Sequence, residues 1–95
     1  MVKIQVRSVL SVAKILSSRK IFVELQDPAT LLSLLNKLIE LYGQEFYNAV
    51  CTSDGYDARQ NAILVNGVSA AVISGAETPL KDGDDVLIMP VISGG

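Results

Sequence analysis

The sequence predicts an α+β roll, a mixed sheet crossed on one face by a single main helix. Three observations carry that prediction. Two N-terminal segments, residues 2–7 and Lys20–Leu25, alternate apolar and polar residues at the strand period. Leu31–Tyr42 carries a leucine stripe at the helix period, and Asn66-Gly67 stands between two apolar runs as a hairpin turn.

In the first segment Val2, Ile4 and Val6 oppose Lys3, Gln5 and Arg7. Ile21, Val23 and Leu25 repeat the pattern against Lys20, Phe22 and Glu24, so the two segments read as an antiparallel pair. The connection over residues 8–19 is open at this stage, because Val9-Leu10 and Val12 fit an extension of either strand. Asp27-Pro28 stops the second strand, and Thr30 is placed as an N-cap. From there Leu31, Leu34, Leu35, Leu38 and Tyr42 form one stripe, with Ser33, Asn36, Lys37 and Glu40 opposite and Gly43 just beyond the end. Leu32, Ile39 and Leu41 widen the stripe, which sets the helix deep against a sheet.

Residues 44–60 read as irregular, with a short helical turn over 46–50. The run 62–65 is continuously apolar, the mark of a central strand, and 68–72 is its return across the hairpin. Asn-Gly suits a type I′ turn because both of its central positions need positive φ. Lys81-Asp82-Gly83-Asp84 forms a further turn, residues 86–89 the last strand, and Pro90 ends its pairing. Residues 1–90 are thus expected to form one domain, followed by a flexible C-terminal tail, 91–95.

Composition excludes several kinds of function. Hydrophobic residues make up 49% and charged residues 19% of 95 positions, which is incompatible with a disordered chain. Eight basic against ten acidic side chains give a net charge of −2, so the clustered positive surface that nucleic acid rewards is missing. With one cysteine there is no internal disulfide. With no histidine, Cys/His zinc sites and serine–histidine catalysis are out, and neither a metal site nor a catalytic residue is expected. The alternating N-terminus lacks the apolar stretch of a signal peptide, and no run approaches the ~18–20 residues of a membrane span. The expected address is the cytoplasm, without membrane contact.

The last six residues are Pro90-Val91-Ile92-Ser93-Gly94-Gly95. A terminal glycine pair arises by chance in about one chain in two hundred at average usage. Its bland reading is a frayed end. Its functional reading is a tail shaped to thread into a partner, since backbone without Cβ passes a narrow tunnel and approaches catalytic groups closely. The element order, the Asn66-Gly67 hairpin, the turn Leu80-Lys81-Asp82-Gly83-Asp84-Asp85-Val86 and this ending together resemble the ubiquitin-like sulfur carriers of the MoaD/ThiS family.

That resemblance implies a β-grasp fold and a role for the C-terminal carboxylate of Gly95. It implies that a ubiquitin-activating-type enzyme uses ATP to adenylate Gly95, and that a sulfur donor then displaces AMP to leave a thiocarboxylate. Gly94, Ser93, Ile92 and Val91 are the tail threaded into the partner. The chain binds no cofactor of its own and acts as a co-substrate. The acceptor is implied to be an enzyme of the molybdopterin-synthase large-subunit type or the cysteine-synthase type. Ser8-Val9 departs from the Phe-Ala pair usual in molybdopterin-synthase small subunits, while the ending from Ile88 to Gly95 is also similar to that of CysO-like carriers.

The docking face is expected on the exposed side of the sheet that leads into the tail. Phe22 is a contact candidate by its alternation, against packing beneath the 8–19 connection. Lys81 and Asp82 are candidates with Asp84 and Asp85, against a plain solvated turn. Two other functions share the same ending: a protein modifier forming isopeptide bonds through the diglycine, and a binding module that is never activated. Conjugates on lysines of other proteins identify the first, and indifference to loss of Gly95 identifies the second.

Overall fold

A computed structural model describes residues 1–91. Its elements in chain order are β1 (Val2–Ser8), α1 (Leu10–Leu16), β2 (Lys20–Leu25), β3 (Ala29–Thr30), α2 (Leu31–Tyr42) and α3 (Gln44–Val50). There follow β4 (Cys51–Thr52), β5 (Gly55–Tyr56), β6 (Asn61–Val65), β7 (Val68–Ser69), two 3₁₀ turns, β8 (Pro79–Leu80) and β9 (Asp85–Pro90). Five strands form one mixed sheet in the order β2-β1-β9-β6-β7. The first and last long strands, β1 and β9, lie parallel at its centre, and every other pair in it is antiparallel.

The α2 helix forms where the leucine stripe places it. Thr30 and Ser33 close a reciprocal capping box: Ser33 N–H donates to Thr30 Oγ1 at 3.3 Å and Thr30 N–H to Ser33 Oγ at 3.1 Å. Gly43 ends it at φ +77°, with its N–H on Ile39 O at 2.7 Å. Leu31, Leu34, Leu35 and Leu38 are fully buried with Ile4, Val6, Ile63, Val86 and Ile88 from the inner face of the sheet. No helix among the described residues is long and apolar enough to cross a membrane.

Four elements differ from the sequence reading. The 8–19 connection contains α1, because Val12 and Leu16, one helical turn apart, both reach the core. Alternation at Val9, Leu10 and Val12 was too short to separate the two periods. The turn expected at 46–50 is the seven-residue α3, anchored by Phe46 and Val50, again four apart and fully buried. It runs into a small hairpin, β4 with β5. The return strand stops at Ser69, whose Oγ accepts the Ala71 N–H at 3.3 Å and starts a 3₁₀ turn that buries Ala70. Finally, β6 is an interior strand, between β9 and β7, but it is not buried on both faces. The middle of the sheet is β9, and in β6 only Asn61, Ile63 and Val65 face inward while Ala62 and Leu64 lie partly exposed on the outer face.

Asn66 and Gly67 have φ of +52° and +84°, as the type I′ turn requires. Pro90 does not end the pairing as expected: it lies opposite Asn61, and the ladder continues because the next residue, Val91, has an N–H, which donates to Gln60 O at 2.7 Å.

Candidate functional site

The outer face of the sheet is built from the alternate residues that the core does not take. Strand register sets them side by side. Leu64 lies opposite Leu87 and Ala62 opposite Met89 across β6 and β9. Arg7 lies beside Leu87, and Gln5 beside Asp85, across β1 and β9. Gln5 also faces Phe22 on β2. The result is an apolar strip of Ala62, Leu64, Leu87 and Met89 that leads along β9 to Val91, which is 49% exposed. On its β1 side the strip is bounded by an ion pair, Arg7 Nε to Asp85 Oδ1 at 2.8 Å and Nη2 to Oδ2 at 2.7 Å.

This bidentate pair, with Gln5 Nε2 donating to Asp85 Oδ1 at 2.8 Å, fixes the start of β9 against β1. Hydrogen bonding from Arg7 holds the Asp85 carboxyl below the usual carboxylate range, and the same bond raises Arg7. A lowered folded pKa adds stability that is present above the unfolded value and lost as pH falls through the folded one. Asp85→Asn should therefore lower Tm at pH 7, with the difference from wild type closing as pH drops below about 4. A Tm difference that is constant from neutral to acid pH would contradict this assignment.

Phe22 and Asp82 meet in one shallow cavity of about 280 Å³, lined also by Lys3, Gln5, Gly83 and Asp85. Phe22 is 57% exposed, and Lys3 Nζ sits 5.0 Å from the centre of its ring, so it does not pack beneath the 8–19 connection. Asp82 Oδ1 accepts the Lys3 N–H at 2.7 Å, and Lys3 O accepts the Gly83 N–H at 2.9 Å. Asp84 receives Lys81 N–H at 2.8 Å and Asn66 Nδ2 at 3.0 Å. The aspartates of this turn thus tie it to β1 and to the Asn66 hairpin. Lys81 is not at the cavity; it borders a separate depression with Val65, Asn66, Val68 and Asp84. Cavity and tail root stand at opposite ends of β9, about 15–17 Å apart at strand rise. Ile92, Ser93, Gly94 and Gly95 lie outside the described residues.

The sequence reading placed the docking face on this side of the sheet but missed the strip itself. Its signal was there: apolar residues at the outward positions 62, 64, 87 and 89 of strands already filled inward. The strip is apolar and rimmed by polar groups, the composition that interaction surfaces share.

Neither Cys51 nor the acidic loop over residues 54–57 assembles a site. Burial pushes the Cys51 thiol up to about 11, so at neutral pH it is protonated and a poor nucleophile. Asp57 Oδ1 accepts the Arg59 N–H, and no acidic or cysteine cluster among the described residues could hold a metal ion.

A central parallel pair flanked by β2 on one side and by the β6–β7 hairpin on the other, with a helix across the inner face, defines a ubiquitin-like β-grasp protein. The family model of the ThiS family matches residues 11–95, and the chain belongs to that family. No curated protein matches it in sequence. Among solved structures it is similar to the HVO 2177 protein of Haloferax volcanii, with a TM-score of 0.86 and 22% identity over 99% of this chain and 87% of that one. It is similar to the small archaeal modifier protein 1 (SAMP1) of Methanosarcina acetivorans, with a TM-score of 0.81 and 23% identity over 100% and 98%. A chain of the BexX/CysO complex of Amycolatopsis orientalis matches with a TM-score of 0.75 and 20% identity over 97% and 99%.

Proposed function

We propose that this protein is a sulfur carrier whose reactive group is the carboxylate of Gly95. The observation that carries the reading is the apolar strip of the outer face, which leads into Val91 and so into the sequence Ile92-Ser93-Gly94-Gly95. A partner that binds the strip captures the tail in the same event. Binding energy gained on the body is then available to position a carboxylate that makes few contacts of its own.

In this reading a carboxylate oxygen of Gly95 attacks the α-phosphorus of ATP in an activating enzyme and pyrophosphate leaves. The acyl-adenylate is a better electrophile than the carboxylate. Sulfide attacks its carbonyl carbon, the carbon–oxygen bond to AMP breaks, and AMP leaves to give the thiocarboxylate, the sulfide proton going to solvent or to a base of the partner. The base and the metal that such steps call on belong to the partner. The acceptor is then an enzyme of the molybdopterin-synthase or cysteine-synthase type, and likeness to a chain of the BexX/CysO complex supports a protein acceptor. Likeness to SAMP1 supports a second use of the same ending, isopeptide conjugation to lysines.

Intact mass after incubation with ATP, a cognate activating enzyme and sulfide tests the carrier reading. The expected result is a gain equal to replacing one oxygen by sulfur, absent when Gly95 is deleted. An unchanged mass, with the enzyme active on another carrier, overturns it. Lysine conjugates in cells, lost with the same deletion, would establish the modifier use.

A further inference from the structure

The five-stranded sheet ends at β2, whose far side is covered by no other strand of the described residues. Which backbone groups face outward follows from the ladder. Ser8 N–H donates to Arg19 O at 2.9 Å, so in register Ile21, Val23 and Leu25 are the positions that exchange hydrogen bonds with β1. Lys20, Phe22 and Glu24 therefore aim their N–H and C=O groups at the open edge. Those of Lys20 confirm the direction, since both are held from that side by the Ser18 hydroxyl, at 3.2 Å and 2.9 Å.

The edge is six residues long and contains neither proline nor glycine. Natural sheets usually blunt such an edge, and a lysine there is one of the usual devices. Here, however, the lysine and a glutamate flank Phe22 symmetrically, two residues to either side. We infer that β2 pairs antiparallel with β2 of a second copy of this chain, Phe22 opposite Phe22, joining two sheets into one across a two-fold axis.

In that register each Phe22 N–H donates to the Phe22 carbonyl of the other copy. Lys20 faces Glu24 twice, pairing opposite charges on the outer face, and the Lys20 N–H and C=O exchange the Ser18 hydroxyl for the backbone groups of Glu24. Ile21 faces Val23 on the inner face. Other registers are worse for stated reasons. A shift of one residue turns one copy's core face outward. A shift by one two-residue step opposes Phe22 to a charge, and a further step opposes Lys20 to Lys20 or Glu24 to Glu24. Neither Lys20 nor Glu24 has an ion-pair partner among the described residues of its own chain.

The arrangement is isologous, so it closes at two copies and does not propagate as a fibre. The axis stands normal to the sheet, which leaves both helical layers on one side and both outer faces on the other. Each apolar strip lies on β6 and β9, away from the joined edge, and stays open to a partner. The contact is short, which places it among weak interfaces with dissociation in the micromolar to millimolar range.

Sedimentation equilibrium of the full chain from micromolar to millimolar concentration tests this, with thermal melts of each variant to verify folding. The wild type is expected to dimerise. Lys20→Glu should weaken the dimer at least about tenfold, because symmetry opposes two glutamates at both ends. The swap Lys20→Glu with Glu24→Lys should restore it to within about threefold. In parallel, exchange of the Phe22 and Glu24 amides should slow as concentration rises. A wild type that is monomeric at millimolar concentration overturns the inference and leaves the edge to a strand of another protein. A dimer indifferent to Lys20→Glu, or not rescued by the swap, overturns it equally and assigns association to another face.

Discussion

Truncating Phe46 to alanine is expected to cost about 3–5 kcal/mol, the range for a fully buried aromatic. Phe46 is completely inaccessible and is the largest fully buried side chain among the described residues. It stands on α3, a helix of seven residues that is too short to persist alone, so its order depends on what Phe46 and Val50 bury. No other aromatic ring is available to fill the space, since Phe22 is exposed and Tyr42, Tyr47 and Tyr56 are not among the buried core residues. A domain of this size holds about 5–15 kcal/mol in total, and each kcal/mol moves Tm by about 4–8 °C. Phe46→Ala should therefore lower Tm by at least about 12 °C in a thermal melt. A shift under about 3 °C would mean that α3 is peripheral to the core.

Phe46 also marks where the sequence was hard to read. Long elements with many repeats of one period were legible: the β1 and β2 alternation, the α2 stripe with its cap at Thr30, the Asn66-Gly67 turn and the β9 strand all lie where their residues put them. Elements with only two core anchors were not. In α1 and α3 a single four-residue interval, Val12 to Leu16 and Phe46 to Val50, has to carry the helical signal. Pairs such as β3 with β8 consist of two residues each and are held by long-range contact, which no local pattern reports. At the site, Phe22 was legible because it breaks the polar side of an alternating strand. The Arg7–Asp85 pair was not, because it joins residues 78 apart through a parallel pairing. The strip hid for another reason. A continuously apolar strand reads as buried on both sides, and only the sheet order shows that the outer side of β6 and β9 is open.

That open side makes a second large effect. Met89→Asp should reduce the rate of adenylation or sulfur transfer, measured as kcat/KM of the partner enzyme for this protein, by about 30-fold or more. Met89 is 38% exposed at the outward position nearest the tail root, opposite Ala62 and next to the strand's last residue. A carboxylate there must be desolvated when a partner covers the strip, and a hot-spot position carries about 2 kcal/mol or more. At 1.4 kcal/mol per tenfold this gives the stated factor. Folding should be nearly untouched, within about 0.5 kcal/mol, because the side chain already meets water. Val72→Asp is the matched control. Val72 is an even more exposed apolar residue, 76%, but it lies in the 3₁₀ turn beyond β7 and away from β9. If the strip guides the tail into its partner, Met89→Asp is slow and Val72→Asp is not. Equal rates for Met89→Asp and wild type would show that the tail is recognised without the strip, and the carrier reading would then rest on the C-terminal sequence alone.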